Sequence, residues 1–427
     1  MTGMATSIKK IVAASLIGTT IEWYDFFLYG SAAALVFNKL FFPESDPLTG
    51  TLLSFLTYAV GFVARPLGGL IFGHFGDRLG RKTLLVVSLL LMGAATFLIG
   101  CLPTYETLGP SAALLLTSLR LVQGFALGGE WGGAVLIVSE HGDTARRGFW
   151  ASWPQAGAPG GNLLATGVLA ILAAWQSEDA FLAWGWRVPF LLSGVLVLIG
   201  LWIRLSISES PVFQQAEPEP RAPIIGVLKY HWKDVLTAIG ARLAENISFY
   251  LLTVFVITYA KTIKIDNSTV LGAVLIASAI HFVTIPMWGA LSDRIGRRPI
   301  YLAGAAGIGV WIFAFFPLVD TGNFLAITLA VTVGLLFHGM MYGPQAAFFS
   351  ELFGTRMRYT GVSIGAQLSA IVAGALAPLI AVALLKTYSS SLPISAYLGL
   401  AAVLTLIAVY AARETQGRDL AERIHAR

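Results

Sequence analysis

Charge is scarce in this chain. Only 12% of its 427 residues are Asp, Glu, Lys or Arg, about half the roughly 25% of an average soluble domain. That is too little polar surface to face water on all sides, so a soluble globular protein is excluded. Cysteine is almost absent. Cys101 stands alone, which excludes an intramolecular disulfide framework, a multi-cysteine metal site and a c-type haem. It is expected near a helix end as a small apolar residue. The chain has no Walker loop, so an ATP-driven pump has no support. It also lacks H-E-x-x-H and G-x-S-x-G, the hydrolase signatures. Ser139-Glu140-His141 has a catalytic composition, but neighbours on a helix point in different directions and form no triad. The chain is therefore not expected to be an enzyme, and neither cofactor nor metal is expected.

What is present is apolar. Hydrophobic residues make up 56% of the chain, and the mean hydropathy is +0.75. A membrane span needs about 20 mostly apolar residues. Twelve runs qualify, near 11–37, 50–75, 83–102, 111–138, 149–174, 187–206, 234–260, 269–290, 299–318, 322–349, 360–386 and 393–412. The first follows Lys9 and Lys10 but is too long for a signal peptide and ends in no small-residue cleavage site. The pattern predicts an all-α membrane protein with lipid as its surroundings. The stretch 208–233, rich in proline and mixed charge, divides a bundle at 1–207 from one at 234–427 with a short tail.

Basic residues set orientation. Of 28 Lys and Arg, twenty fall on the side of the termini, Arg204 among them, and five on the other. Three lie inside spans: Arg65, Arg120 and Arg242. Both termini are thus expected in the cytoplasm of a multi-pass inner-membrane protein. The net charge of +5 is explained without nucleic acid. A monomer is expected.

The halves repeat. Gly73–Lys82 and Gly289–Arg298 both read G-x-x-x-D-R-x-G-R-R/K, 216 residues apart. Ser139-Glu140 and Arg147 are echoed by Ser350-Glu351 and Arg358 at offset 211. Glu22 and Phe26 are echoed by Glu245 and Phe249 at offset 223. Duplicated halves place a solute site at their interface near the bilayer midplane.

The duplicated loop resembles the hallmark of the major facilitator superfamily, and Arg120-x-x-x-Gly124 its other common motif. Glu22–Phe26, Arg65–Gly69, Gly128–Gly133, Glu209–Phe213 and Arg413–Thr415 are similar to the metabolite:proton symporter branch, with the N-terminal half most like shikimate permeases. Glu22 departs from the Asp of those permeases. The resemblance implies two pseudo-symmetric six-helix bundles and proton-coupled import of a small organic acid by alternating access. Permeases for proline/betaine and for dicarboxylates share the motifs, and a uniporter or a non-transporting sensor also fits.

Charges within a membrane cost about 2.5–3.5 kcal/mol each on insertion scales, so each invites a functional reading. Glu22, Asp25 and Tyr29 follow i, i+3, i+7 spacing on one face. The two carboxylates suit proton binding, their mutual repulsion raising proton affinity; alternatively each pairs with a membrane Arg. Arg65 offers a fork of donors to a solute carboxylate, or a fixed bridge to Glu22 or Asp25. Glu130, beside Trp131, lines the cavity by resemblance, or pairs with Arg120 or Arg242. The stripe of Arg120, Gly124, Gly128 and Gly132 is read mainly as helix packing. Gln155 and Asn162 share a face and can bind a hydroxylated solute or join helices. Arg242, Glu245, Asn246, Phe249 and Tyr250 form a polar stripe in the seventh span. Glu245 is a further proton candidate there, and Arg242 and Tyr250 are solute candidates. Tyr342, Gln345 and Gln367 add donors. His281 and His338 are relay candidates or plain structural hydrogen-bonders. Asp77, Arg78, Arg81, Asp293, Arg294 and Arg297 are expected in gate loops, where an Asp meets an Arg or a helix N-terminus of the opposite half when the cytoplasmic side is shut.

Overall fold

The structure, a computed structural model, describes residues 8–79, 81–128, 134–135, 138–139, 143–205, 231–353 and 358–418; within these, the side chains of 70, 73–79, 81–85, 170, 173, 358–360 and 363 are not described. Twelve long helices run through the described residues. In the first half they are α1 (Ile8–Ala32, continuing through Ala33–Phe37 to Leu40), α2 (Pro47–Leu79), α3 (Arg81–Cys101), α4 (Pro110–Leu127), α5 (Arg147–Trp175) and α6 (Arg187–Leu205). In the second half they are α7 (Trp232–Tyr250, continuing to Thr262), α8 (Asn267–Ile295), α9 (Arg297–Asp320), α10 (Phe324–Leu352), α11 (Arg358–Ser369, continuing to Tyr388) and α12 (Leu392–Ala411).

Ten of these are long and apolar enough to cross a membrane. In α3 the described apolar part is short, Val86–Cys101. α5 carries Pro154, Gln155, Pro159 and Asn162 and lies in the seam. The helices outrun the expected spans. Hydropathy marks only the hydrocarbon portion, and α8 carries on through Asp293 and Arg294. Those gate residues thus occupy the last helical turn, where loops were expected. The next helix opens after Gly296, whose φ of +113° is open to glycine and strained for other residues. That accounts for one fixed letter of the repeated motif.

Packing repeats with the sequence. In the first half α1 packs on α5 and α6, α2 on α4, and α3 on α4 and α6; in the second α7 packs on α11 and α12, α8 on α10, and α9 on α10 and α12. The bundles meet along two seams, α5 against α8 and α2 against α11, which exchange under the pseudo-twofold. Close approach is enforced by glycine. A Cβ on Gly124 would stand 1.8 Å from the Gly61 carbonyl oxygen, and one on Gly289 would stand 2.5 Å from that of Gly148. The first contact locks α4 to α2 and the second brings the bundles together.

Polarity is inverted relative to a soluble protein. Leu114, Val310 and Ile407 stand exposed on the outside, while Glu22, Asp25, Arg65, Arg120, Arg242 and Glu245 are buried. Lipid favours that arrangement and water does not. Trp175, Trp202, Trp232, Tyr388 and Tyr410 are exposed at helix ends, as an aromatic belt requires. Cys101 is exposed at the end of α3.

Candidate functional site

A hollow lies between the bundles at mid-depth. Glu22, Trp23, Arg65 and Gln155 line it from the first half, and Arg242, Asn246 and Gln367 from the second. Its volume is about 40 Å³, room for a few waters and too little for a six-carbon acid.

Arg65 is the most telling group. It is 6% exposed, and its guanidinium is sandwiched by the rings of Phe26 and Phe62, 4.4 and 4.2 Å from their centroids. Its Nε and Nη2 have no hydrogen-bond partner among the described residues. The bridge to Glu22 or Asp25 is not made. Glu22 instead accepts from Arg204 Nη2 at 2.7 Å. Arg204 is therefore a partly buried partner near the end of α6, where an orientation signal in water was expected.

Asp25 and Glu22 have separate surroundings. The Ser193 hydroxyl donates to Asp25 Oδ1 at 2.6 Å, Thr96 lies beside it, and Oδ2 has no partner among the described residues. No ion pair to Asp25 occurs among those residues. Repulsion between the two carboxylates is not the governing effect, because Arg204 neutralises Glu22. Tyr29 does not line the hollow. Its hydroxyl donates to Thr57 at 2.7 Å, and its ring lies 4.4 Å from the Arg120 guanidinium. Two helical turns from Glu22, it belongs to the packing between α1 and α2. Arg120 itself donates to Gln123 at 3.0 Å, and Gln123 to Thr96 at 2.7 Å.

In the second half Glu245 sits behind the hollow. It pairs with Arg242 at 3.3 Å, meets His338 at 3.4 Å and accepts from Gln345 at 3.1 Å. Gln155 reaches across the seam to the Tyr342 carbonyl and to Gln345, both at 3.4 Å. Tyr342 and Gln345 thus support the wall and do not form its surface. Asn162 donates to Ser278 at 2.8 Å and joins α5 to α8, away from the hollow. Tyr250 packs edge-on against Phe62 and Phe26 as part of an aromatic plug. Glu130 and Trp131 lie outside the described residues, as do the side chains of Asp77, Arg78 and Arg81.

Both ends of the seam are bridged. At the end that carries the termini, Asp293 accepts from the Gly148 and Phe149 amides at 2.8 and 2.9 Å, the first turn of α5 in the opposite bundle, where a carboxylate is favoured. Arg297 holds Asp293 at 2.7 Å, and Arg294 is exposed. Glu351, 1% exposed, binds Arg147 across the seam at 2.9 Å, Arg297 at 3.2 Å and the Thr415 hydroxyl at 2.8 Å. Glu414 accepts from the amides of Arg297 and Arg298 at 2.9 and 3.0 Å. Burial pushes its carboxyl up, but the backbone amides around it outweigh that and hold it below the usual range. At the other end, Lys261 donates to the carbonyls of Ala34 and Leu35 at 3.0 and 3.1 Å, in the π turn Ala33–Phe37 of α1. Lys386 meets Asp46 and Thr49. The Thr49 hydroxyl and amide, aided by Lys386, push the Asp46 carboxyl down to about 2.

Glu351 and Arg147 were visible in the sequence only as members of a repeat. Lys261, Lys386 and Asp46 gave no signal beyond flanking a span.

The Major Facilitator Superfamily profile matches residues 15–378. The chain belongs to the major facilitator superfamily. It is 40% identical over 423 residues to the inner membrane metabolite transport protein YhjE of Escherichia coli, covering 97% of this chain and 96% of that protein. It is also 40% identical to the shikimate transporter of the same organism, covering 90% and 89%. To the E. coli proline/betaine transporter it is 33% identical, covering 97% and 85%. Among solved structures, a D-xylose-proton symporter superposes with a TM-score of 0.78 at 17% identity over 97% of this chain and 100% of that one, a likeness of fold. The chain is thus a multi-pass membrane transporter of metabolites.

Proposed function

We propose that this transporter imports a small hydroxylated carboxylate together with a proton, by rocking of the bundles 1–207 and 234–427 around the hollow between them; most of the linker 208–233 lies outside the described residues. The observation that carries the reading is Arg65. A buried guanidinium at the inter-bundle hollow, with two donors unpartnered among the described residues, needs an anion, and a solute carboxylate matches its fork. Arg242 faces the same hollow from the other half, so one acid can bridge the bundles. Gln155, Asn246 and Gln367 offer donors and acceptors to ring hydroxyls. The similarity to a shikimate transporter points the same way.

A quaternary amine suits this site less well. Such a cation is held by open aromatic faces, and here Arg65 occupies the faces of Phe26 and Phe62. The proton is assigned to a buried carboxyl. An unpaired charge at Asp25 is costly in a low dielectric, and the neutral acid removes that cost. Proton loading and solute loading then favour the same closed form. The excess of basic residues puts the termini and the Asp293/Glu351 cluster in the cytoplasm. With both ends bridged and the hollow contracted, the conformation corresponds to an occluded step of the cycle.

Uptake into proteoliposomes tests the reading. Shikimate should accumulate under an inward proton gradient, and fumarate and glycine betaine should not compete. Collapse of the gradient should stop accumulation while exchange continues. Accumulation unchanged by a protonophore would make the protein a uniporter. Stabilisation by glycine betaine alone would overturn the hydroxylated-acid reading.

A further inference from the structure

The second bundle contains a row of titratable groups that the solute site does not use. His281 on α8 and His338 on α10 are 1% and 0% exposed. His281 Nε2 stands 3.0 Å from His338 Nδ1, and His338 Nε2 stands 3.4 Å from Glu245 Oε1. Glu245 Oε2 is 3.3 Å from Arg242 Nε, and Arg242 lines the hollow. At the far end, His281 Nδ1 is buried without a hydrogen-bond partner among the described residues. The row therefore runs from an open imidazole nitrogen to a cation that faces solute.

Hydrogen-bond polarity fixes the tautomers. With Glu245 ionised and both imidazoles neutral, His338 Nε2–H donates to Glu245, so His338 Nδ1 must accept. His281 Nε2–H donates to it, and the His281 Nδ1 lone pair is left open. A proton arriving at His281 Nδ1 forms a new N–H bond there. The proton on His281 Nε2 passes to His338 Nδ1, and that on His338 Nε2 passes to Glu245 Oε1. Two N–H bonds break, while two N–H bonds and one O–H bond form. Both imidazoles end neutral with exchanged tautomers, and the added proton resides on Glu245 as the acid.

We propose that His281, His338 and Glu245 form a proton-binding site of the C-terminal bundle that, when loaded, releases the Arg242 guanidinium from Glu245 to the solute carboxylate. This rests on the transport reading above and adds, beside Asp25, a second proton site that touches the solute-facing Arg242. Neutralising Glu245 removes a counter-ion from Arg242, which is buried and 7% exposed. A solute carboxylate restores one. Unloading the solute returns Arg242 to Glu245 and expels the proton.

The surroundings suit a single-proton site. From α7, Arg242 and Tyr250 face Glu245; Tyr301 comes from α9 and Tyr342 from α10. Arg65 on α2 lies beyond Tyr250. The Tyr301 hydroxyl is engaged, donating to the Ala241 carbonyl at 2.9 Å and accepting from Gln345 at 3.0 Å. The Phe249 ring packs against both imidazoles, 6.1 and 5.0 Å from their centroids.

Infrared difference titration of the purified protein without solute tests the site. Acidification should raise a carboxylic-acid carbonyl band that is absent in Glu245→Gln and whose midpoint moves in His281→Gln and in His338→Gln. A band that persists in Glu245→Gln, or a midpoint unmoved by both histidine variants, overturns the proposal. Should a variant fail to fold, wild type alone decides: in ¹⁵N-histidine spectra two imidazoles exchange tautomer across that midpoint, and fixed tautomers overturn the relay. Thermal stabilisation by shikimate gives the functional arm. Wild-type affinity should weaken about tenfold per pH unit above the midpoint, whereas Glu245→Gln should bind with a flat pH profile. If no carboxylate stabilises wild type at any pH while the infrared titration holds, the solute reading fails and the proton site stands.

Discussion

Glu351→Gln keeps the shape of the side chain at the hub of the cluster that bridges the seam at the end carrying the termini, and removes the charge that serves both Arg147 and Arg297. Arg297 retains Asp293 at 2.7 Å. Arg147, 3% exposed, keeps the Arg418 carbonyl at 2.9 Å and loses its carboxylate. Breaking a buried pair by removing one partner costs about 3–5 kcal/mol. The conformation with this end shut bears that cost, because parting the bundles lets Arg147 hydrate. A bias of about 3 kcal/mol shifts an equilibrium by roughly two orders of magnitude. Ala145 and Ile295 lie on opposite sides of this seam and are exposed, so cysteines there accept spin labels once exposed Cys101 is replaced by Ser. Pulsed-dipolar distances should lengthen in Glu351→Gln and be short in its parent. An unchanged distribution in a protein of intact helicity would refute the latch.

Other predictions concern single contacts. Arg65→Ala should abolish stabilisation by shikimate in a thermal-shift assay, and Arg65→Lys should not restore it, because an ammonium lacks the fork. Asp25→Asn should leave the melting temperature unchanged or raised, since the Ser193 contact survives and no cation partner is lost; a loss above about 2 kcal/mol would reveal a buried counter-ion. Gly124→Ala, whose Cβ would stand 1.8 Å from the Gly61 carbonyl oxygen, should cost about 1–3 kcal/mol through overpacking of α2 on α4, read from unfolding in denaturant. Glu414→Ala should lose about 1 kcal/mol at neutral pH, a cap's worth. The Glu414 carboxyl is held below its usual range, so its contribution is complete above that range and fades as pH falls through the lowered value. Melting curves of wild type and variant should converge in acid, once pH has fallen below that lowered value.

Particular residues show how far the linear chain could be read. Twelve apolar runs and a motif repeated at offset 216 identify helix number, duplication and family, because hydrocarbon solvent admits few spanning structures and each must be about 20 residues long. The rarity of charge within spans picked out Glu22, Arg65 and Arg242, which line the hollow, and Glu245, one step behind it. Helical spacing did less well. Tyr29 shares a stripe with Glu22, yet its hydroxyl serves Thr57; Asn162 shares one with Gln155, yet it joins α5 to α8. Spacing along one helix gives a direction, and the neighbour waiting in that direction belongs to another helix.

Class, span count, internal symmetry and the short roster of membrane charges were therefore determined by sequence alone, because each follows from local composition meeting a uniform apolar solvent. Only the tertiary structure decided who pairs with whom: Glu22 with Arg204, Glu351 with Arg147 and Arg297, His281 with His338 and Glu245, and Arg65 with aromatic rings and no acid among the described residues. Such pairings join positions up to about two hundred residues apart. They are settled by how two bundles pack and where glycines let backbones approach, a property of no segment taken singly.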